Sequence, residues 1–171
     1  MLWLPPTLMA AAAGGVETLL TRTTETIIHD FNQLGGGAMT KLFDGMTSQA
    51  WGGGTTLPYK SGSFCNVGLT FLTPLRMSKF VVYGSNDDGF ILSANPSTTI
   101  DIYGKAGTVP STDTDGTLLG TLSFTDTANE SAGRTITSTD QSTSYDHVWA
   151  RISTGSSTSI TAAEIRIYYL A

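Results

Sequence analysis

From residue 38 to the C-terminus, short runs of apolar and β-branched residues alternate with clusters of Gly, Asn, Asp and Ser. Such runs occupy residues 79–83, 99–103, 118–124, 147–152 and 164–169. Side chains alternate between the two faces of a strand, and short strands with turn residues between them are typical of a β-sandwich or barrel. The pattern predicts an all-β domain without a helix longer than two turns, and a hairpin turn at 113–116.

The run 147–152 also predicts which side chains face the core. Val148, Ala150 and Ile152 fall on one face of this strand, and Trp149 falls on the other. We therefore expect Trp149 to pack beneath a loop, another sheet layer or a neighbouring chain.

Residues 1–37 differ from the rest of the chain. The stretch 2–15 is apolar and rich in small residues, and the stretch 16–34 fits a helical stripe only loosely, because its Thr cluster favours extended structure. A run of three glycines closes this region at 35–37. We interpret 1–37 as an arm that includes one strand, followed by a single domain over 38–171.

Two roles for this arm follow from its composition. It wraps the core of its own domain, or it docks on a neighbouring subunit through Trp3, Pro5, Pro6 and Leu8. The second role is the one we predict. The same apolar start superficially resembles a cleaved signal peptide, but it has no basic n-region and the two prolines interrupt it early.

Composition and charge exclude several classes of function. Charged residues make up 13% of the chain and the net charge is −5, and no segment gathers the basic residues into the patch that nucleic-acid binding requires. No apolar run reaches the roughly 18 residues that span a bilayer. Cys65 is the single cysteine, so an internal disulfide is excluded, and its apolar neighbours indicate a buried thiol.

Three segments, in order, resemble the discoidin-like domain of coagulation-factor C-terminal domains, sialidase-associated carbohydrate-binding modules and fucose lectins. They are residues 42–51 (LFDGMTSQAW), residues 67–71 (VGLTF) followed by 80–87 (FVVYGSND), and residues 145–152 (YDHVWARI) with 163–168 (AEIRIY). The resemblance covers about residues 38–171. It implies a galactose-binding-like, jelly-roll β-sandwich that binds ligands through loops at one end.

The resemblance also implies one structural calcium ion between the opening turn and the last strand. Asp44 and Glu164 match the two carboxylate positions, and Met46 stands where an Asn is usual and offers its carbonyl oxygen. Gln49 replaces a Thr ligand. The alternative is that Asp44 caps its own turn and Glu164 is a solvated strand end.

Ligand binding is expected from aromatic residues near the open end of the sandwich. Sugar sites combine aromatic rings with a few polar groups, and Tyr59, Trp51 and Phe90 are the candidates; a core position is the alternative for Trp51. Catalysis is not expected. His29 and His147 are the two histidines, and neither a nucleophile elbow nor a zinc-binding pattern accompanies them.

These features together predict a non-enzymatic virion structural or adhesion protein of a phage or phage-like particle. It would be a head decoration, fibre or tail-associated component. The arm would anchor it to other virion proteins, in a homo-oligomer, and the sandwich would face a host-surface glycan. The alternative is a free secreted carbohydrate-binding lectin, or a module of a larger glycan-active enzyme.

Overall fold

The computed structural model describes residues 15–21, 25–29, 42–47, 59–60, 62–85, 90, 97–125, 132–154 and 160–171. The strands in these ranges are β1 (Glu17–Leu19), β2 (Thr26–His29), β3 (Tyr59–Lys60), β4 (Phe64–Tyr83), β5 (Ser97–Lys105), β6 (Thr117–Thr125), β7 (Arg134–Thr137), β8 (Ser144–Thr154), β9 (Ile160–Thr161) and β10 (Glu164–Leu170). All five predicted strand runs lie inside strands of the structure. No described segment forms an apolar helix of membrane-spanning length.

One antiparallel sheet, in the order β1-β10-β4-β8-β5-β6, curls on itself to form the sandwich. Its centre is the 20-residue strand β4. The first part of β4 pairs with β2 and β8, and the last part pairs with β10 and β7. A single strand therefore belongs to both layers, and the predicted all-β sandwich is confirmed.

β4 changes layers around residues 71–74. The register with β8 shifts between Thr70 and Leu75, and Pro74, which has no N–H to donate to a ladder, falls inside this gap. Leu72 is 80% exposed here, because this part of the strand has left the core.

The core lies between the two layers and is built from alternate residues of the central strands. Its members include Val67, Leu69, Phe80, Val82, Ile100, Ile102, Val148, Ala150, Ile152, Ile165 and Ile167. Cys65 is fully buried among them, as the sequence predicts for an apolar thiol.

Part of the predicted arm belongs to this sheet. β1 pairs with β10 and β2 pairs with β4, and Leu20 and Ile27 pack against the core. Residues 17–21 and 25–29 therefore follow the alternative in which the arm wraps its own domain, because unpaired strand edges are satisfied by further strands. Trp3, Pro5, Pro6 and Leu8 lie outside the described residues, so docking by the arm tip stays a prediction.

The β5–β6 hairpin explains the burial of Trp149. Its connecting loop (residues 106–116, the β5–β6 loop) accepts a 2.9 Å hydrogen bond from Trp149 Nε1 at the Asp113 carbonyl. The indole stacks on Tyr103 with centroids 5.5 Å apart and is 4% exposed. Of the three expected positions for Trp149, packing beneath a loop is the one confirmed.

His147 ties the same loop to the sheet. The Gly107 carbonyl can only accept, so His147 Nε2 donates to it over 3.1 Å, and Nδ1 shares a 2.8 Å hydrogen bond with the Thr70 hydroxyl. Both ring nitrogens are thereby engaged in structural bonds. Gly107 N–H also donates to Asp146 over 2.6 Å.

Gly68 makes room for this arrangement. A Cβ at this position would lie 2.0 Å from the Val148 carbonyl oxygen and 2.5 Å from Trp149 Cα. We predict that Gly68→Ala lowers the free energy of unfolding by about 2–3 kcal/mol, since the obstructing atoms are backbone. Chemical denaturation measures the effect. Thr135→Ala, at an exposed position of β7, is the control and should change stability by less than about 0.5 kcal/mol; equal effects would contradict the packing described.

Candidate functional site

The opening turn, residues 42–47, lies against the start of β10. Leu42 is fully buried in the core, and Gly45 turns the chain with a φ of 84°, a value that glycine adopts at little cost. Asp44 Oδ1 accepts the N–H of Met46 over 2.9 Å. The Asp-Gly pair therefore caps its own turn, which was one of the two predicted roles for Asp44.

Glu164, the first residue of β10, reaches this turn from the strand side. Its side chain is 3% exposed, and Oε1 accepts the Gly45 N–H over 3.1 Å. Oε2 is buried, and among the described residues no hydrogen bond to this atom is found. Burial raises the pKa of Glu164 to about 7, against the lowering influence of the Gly45 N–H and with a further raising contribution from Asp44. Glu164 is thus not the solvated strand end that was the alternative prediction.

Arg166 is the residue that sequence reasoning missed at this turn. Nη2 donates to the Gly45 carbonyl over 3.1 Å, and Nε lies 3.7 Å from Glu164 Oε1. Its guanidinium carbon is 5.3 Å from the centroid of the Tyr83 ring. Alternation along β10 places residues 164 and 166 on the same side of the strand. This pattern could have identified Arg166 from the sequence.

The predicted calcium ligands are brought together only in part. Asp44 and Glu164 both reach the turn, and Met46 contributes its N–H to Asp44 while its side chain is 57% exposed. Calcium takes six to eight oxygen ligands. Among the described residues no group of three His, Cys, Asp or Glu side chains is placed to hold a metal, and a guanidinium already occupies the Gly45 carbonyl. Among the described residues, the ligand set that the resemblance implies is therefore incomplete, and a guanidinium lies beside it.

The buried carboxyl group makes stability at this turn depend on pH. The pKa of Glu164 is raised from 4.5 to about 7 on folding, so the folded state binds the proton more tightly. Ionisation of Glu164 therefore lowers the free energy of unfolding. The full decrease is present above pH 7, and none of it is present below pH 4.5. We predict that the melting temperature of Glu164→Gln, relative to the unmodified protein, rises as pH increases through this window.

Glu17 provides a control of opposite sign. Its hydrogen bonds to Lys79 (2.6 Å) and Ser78 (2.5 Å) lower its pKa, so its ionised form stabilises the fold above its unfolded pKa. Glu17→Gln should therefore lose stability relative to the unmodified protein as pH rises through the acidic range. Differential scanning calorimetry at several pH values measures both variants. A pH-independent difference for Glu164→Gln would contradict the proposed burial of its charge.

The predicted ligand-binding residues fall in different places. Trp51 lies outside the described residues. The main chain of Tyr59 forms part of β3 and pairs with Thr161, whereas its side chain is not among those described. Phe90 requires a correction: it is fully buried and packs edge-to-face on Phe124, with centroids 5.7 Å apart. A ring in that position belongs to the core and has no face to offer a sugar.

A groove that the sequence did not reveal runs beside the β5–β6 loop. It encloses about 190 Å³ and is lined by Ile28, Asn66, Val109, Pro110, Asp113 and Trp149 among others. Asp113 is held there by a 2.7 Å ion pair with Arg151. The groove joins apolar walls to fixed polar groups, but one face of Trp149 is covered by Tyr103, which leaves little open ring surface.

Comparisons with known proteins place this fold. No protein-family model and no curated protein sequence matches the chain. Solved structures do match. The family 32 carbohydrate-binding module from C. perfringens NanJ in complex with galactose is 16% identical, with a TM-score of 0.61 over 90% of this chain and 99% of that chain. CpGH89CBM32-5 from Clostridium perfringens, in complex with GalNAc-β-1,3-galactose, is 12% identical, with a TM-score of 0.62 over 88% and 99%.

A further match is part of a larger protein. Truncated AlyQ with CBM32 and alginate lyase domains is 15% identical, with a TM-score of 0.57 over 92% of this chain, and this chain spans 34% of that one. At such identities the likeness shows the fold alone. The galactose-binding-like β-sandwich implied by the three sequence motifs is thereby confirmed.

Proposed function

We propose that the chain is a non-catalytic carbohydrate-binding domain. The observation that carries the proposal is the sharing of its fold, over 88–90% of its length, with two modules solved in complex with galactose and GalNAc-β-1,3-galactose. The chemistry of the described residues is compatible with this role. His147 is committed to structural hydrogen bonds, and the thiol of Cys65 is buried.

The aromatic residues Tyr59 and Trp51 are the binding groups in this proposal. A sugar needs an open aromatic face together with hydrogen-bonding groups. Trp149 is 4% exposed and its indole N–H is already bonded to the β5–β6 loop, while Phe90 is in the core. Support for Tyr59 comes from the pairing of β3 with β9, which fixes its main chain on a short two-stranded sheet outside the main one.

The charge of the chain favours neutral glycans. The net charge is −5, with 14 acidic and 9 basic residues, and a negative surface repels polymers of uronic acids. We therefore expect neutral galactosyl oligosaccharides to bind better than alginate or pectin fragments. A free lectin and a module that targets a larger enzyme both use this activity, and the domain arrangement of truncated AlyQ provides a precedent for the second.

Isothermal titration of the full chain with neutral galactosyl oligosaccharides and with alginate oligosaccharides tests the proposal. We expect binding of at least one neutral oligosaccharide, and a loss of about tenfold in affinity for Tyr59→Ala or Trp51→Ala, because one stacked ring is removed. Trp149→Phe is the control and should bind as the unmodified protein does. Failure of the folded protein to bind any neutral glycan on a broader array would refute the proposal.

The virion role rests on the sequence alone. The structural likenesses lend no support to a phage origin, to virion partners or to a homo-oligomer, and the arm tip lies outside the described residues. That role stays a prediction. Co-sedimentation with particles, comparing the full chain with one that lacks residues 1–37, distinguishes it from a free lectin.

A further inference from the structure

We infer that the guanidinium of Arg166 takes the place of a metal ion at the opening turn, so that this domain reaches its full stability without calcium. The inference goes beyond carbohydrate binding and does not depend on it. The family resemblance implies that calcium joins the opening turn to the last strand. In the described residues, side chains of β10 make this connection.

Two side chains of β10 bind the Gly45 residue of the opening turn. Glu164 accepts the N–H of Gly45, and Arg166 donates to the carbonyl of the same residue, each over 3.1 Å. The two polar groups of one peptide residue are therefore both bound by side chains of β10. Arg166 Nε also lies 3.7 Å from Glu164 Oε1. This closed set of contacts links turn and strand, as a shared cation would.

The charge of Arg166 also bears on metal binding at this turn. A metal ion between the turn and β10 would be attracted by the carboxylates of Asp44 and Glu164. Arg166 already supplies a positive charge there, 3.7 Å from Glu164 Oε1. It repels a further cation and occupies the Gly45 carbonyl, one of the oxygens that the turn has to offer. The site is thus partly neutralised by the chain itself.

Strand pairing and ring packing hold Arg166 in position. Its main chain pairs with Val81 in the centre of the sheet, and its guanidinium lies over the Tyr83 ring at 5.3 Å. Its side chain is 29% exposed. A packed arginine of this kind loses less freedom on binding the turn than a solvated one does, and it combines one hydrogen bond to Gly45 with an ion pair to Glu164.

One oxygen atom at the junction, Glu164 Oε2, is the reason to measure the effect of calcium directly. Glu164 Oε2 is buried, and no hydrogen bond to it is found among the described residues, so a bound cation would act on this oxygen. The experiment therefore has to vary calcium as well as Arg166.

Thermal unfolding of the full chain, in EDTA and in millimolar calcium chloride, is measured for the unmodified protein, Arg166→Met and Arg134→Met. Methionine preserves an apolar stem over the ring without the charge. Arg134 is the matched control, because its guanidinium also lies over an aromatic ring, that of Phe124 at 4.3 Å, but on β7. Exchange of the Gly45 amide proton, followed by NMR, reports on the turn itself.

We expect the unmodified protein to melt at the same temperature in EDTA and in calcium. Arg166→Met should melt about 3–6 °C lower and exchange the Gly45 amide about tenfold faster, whereas Arg134→Met should leave that exchange unchanged. A rise in the melting temperature of the unmodified protein with calcium would overturn the inference. So would normal Gly45 exchange in Arg166→Met. If Arg166→Met does not fold, Arg166→Lys, which keeps the charge but not the fork, provides the same comparison.

Discussion

The structure depends on one strand that belongs to both layers of the sandwich. β4 pairs with β2 and most of β8 before its corner, and with β10, β7 and the first residues of β8 after it, so the pairing of four other strands is set by one backbone. A strand shared in this way fixes the register of both layers together, because a slip of one residue would turn every core side chain outward. The crowded site at Gly68 and the proline-containing corner are two local consequences of that constraint.

The same strand positions the opening turn. β10 pairs with the second half of β4, which places Glu164 and Arg166 beside the Gly45 peptide. Long-range pairing of the sheet and short-range bonding of the turn therefore depend on each other. A carboxyl group that is buried at this point is costly when ionised, and the nearby guanidinium offsets part of that cost. In the described residues, the side chains of Glu164 and Arg166 therefore join the turn to the sheet.

Much of the fold was accessible from the sequence, because the central strands carry apolar runs and clear turn residues. Alternation in β8 predicted that Trp149 faces away from the core, but it did not identify the loop that covers it, since that contact joins residues 36 positions apart. β1 and β2 were predicted as one strand and not as two, because each is only three or four residues long. Phe90 was misjudged because it directly follows the turn residues 84–89, and the apolar run that it begins, residues 90–92, is too short to show a periodicity from which burial can be inferred. Arg166 was overlooked although its spacing from Glu164 placed both on one face.

We propose that this sandwich binds a neutral glycan through Tyr59 and Trp51. The most direct measurement is a two-dimensional ¹H–¹⁵N NMR titration of the full chain with a galactosyl oligosaccharide. We expect saturable shifts confined to amides near β3 and β9, with the amides of the β5–β6 loop unmoved. An unchanged spectrum at saturating sugar would contradict glycan binding, and shifts centred on the Trp149 groove would contradict the assigned site.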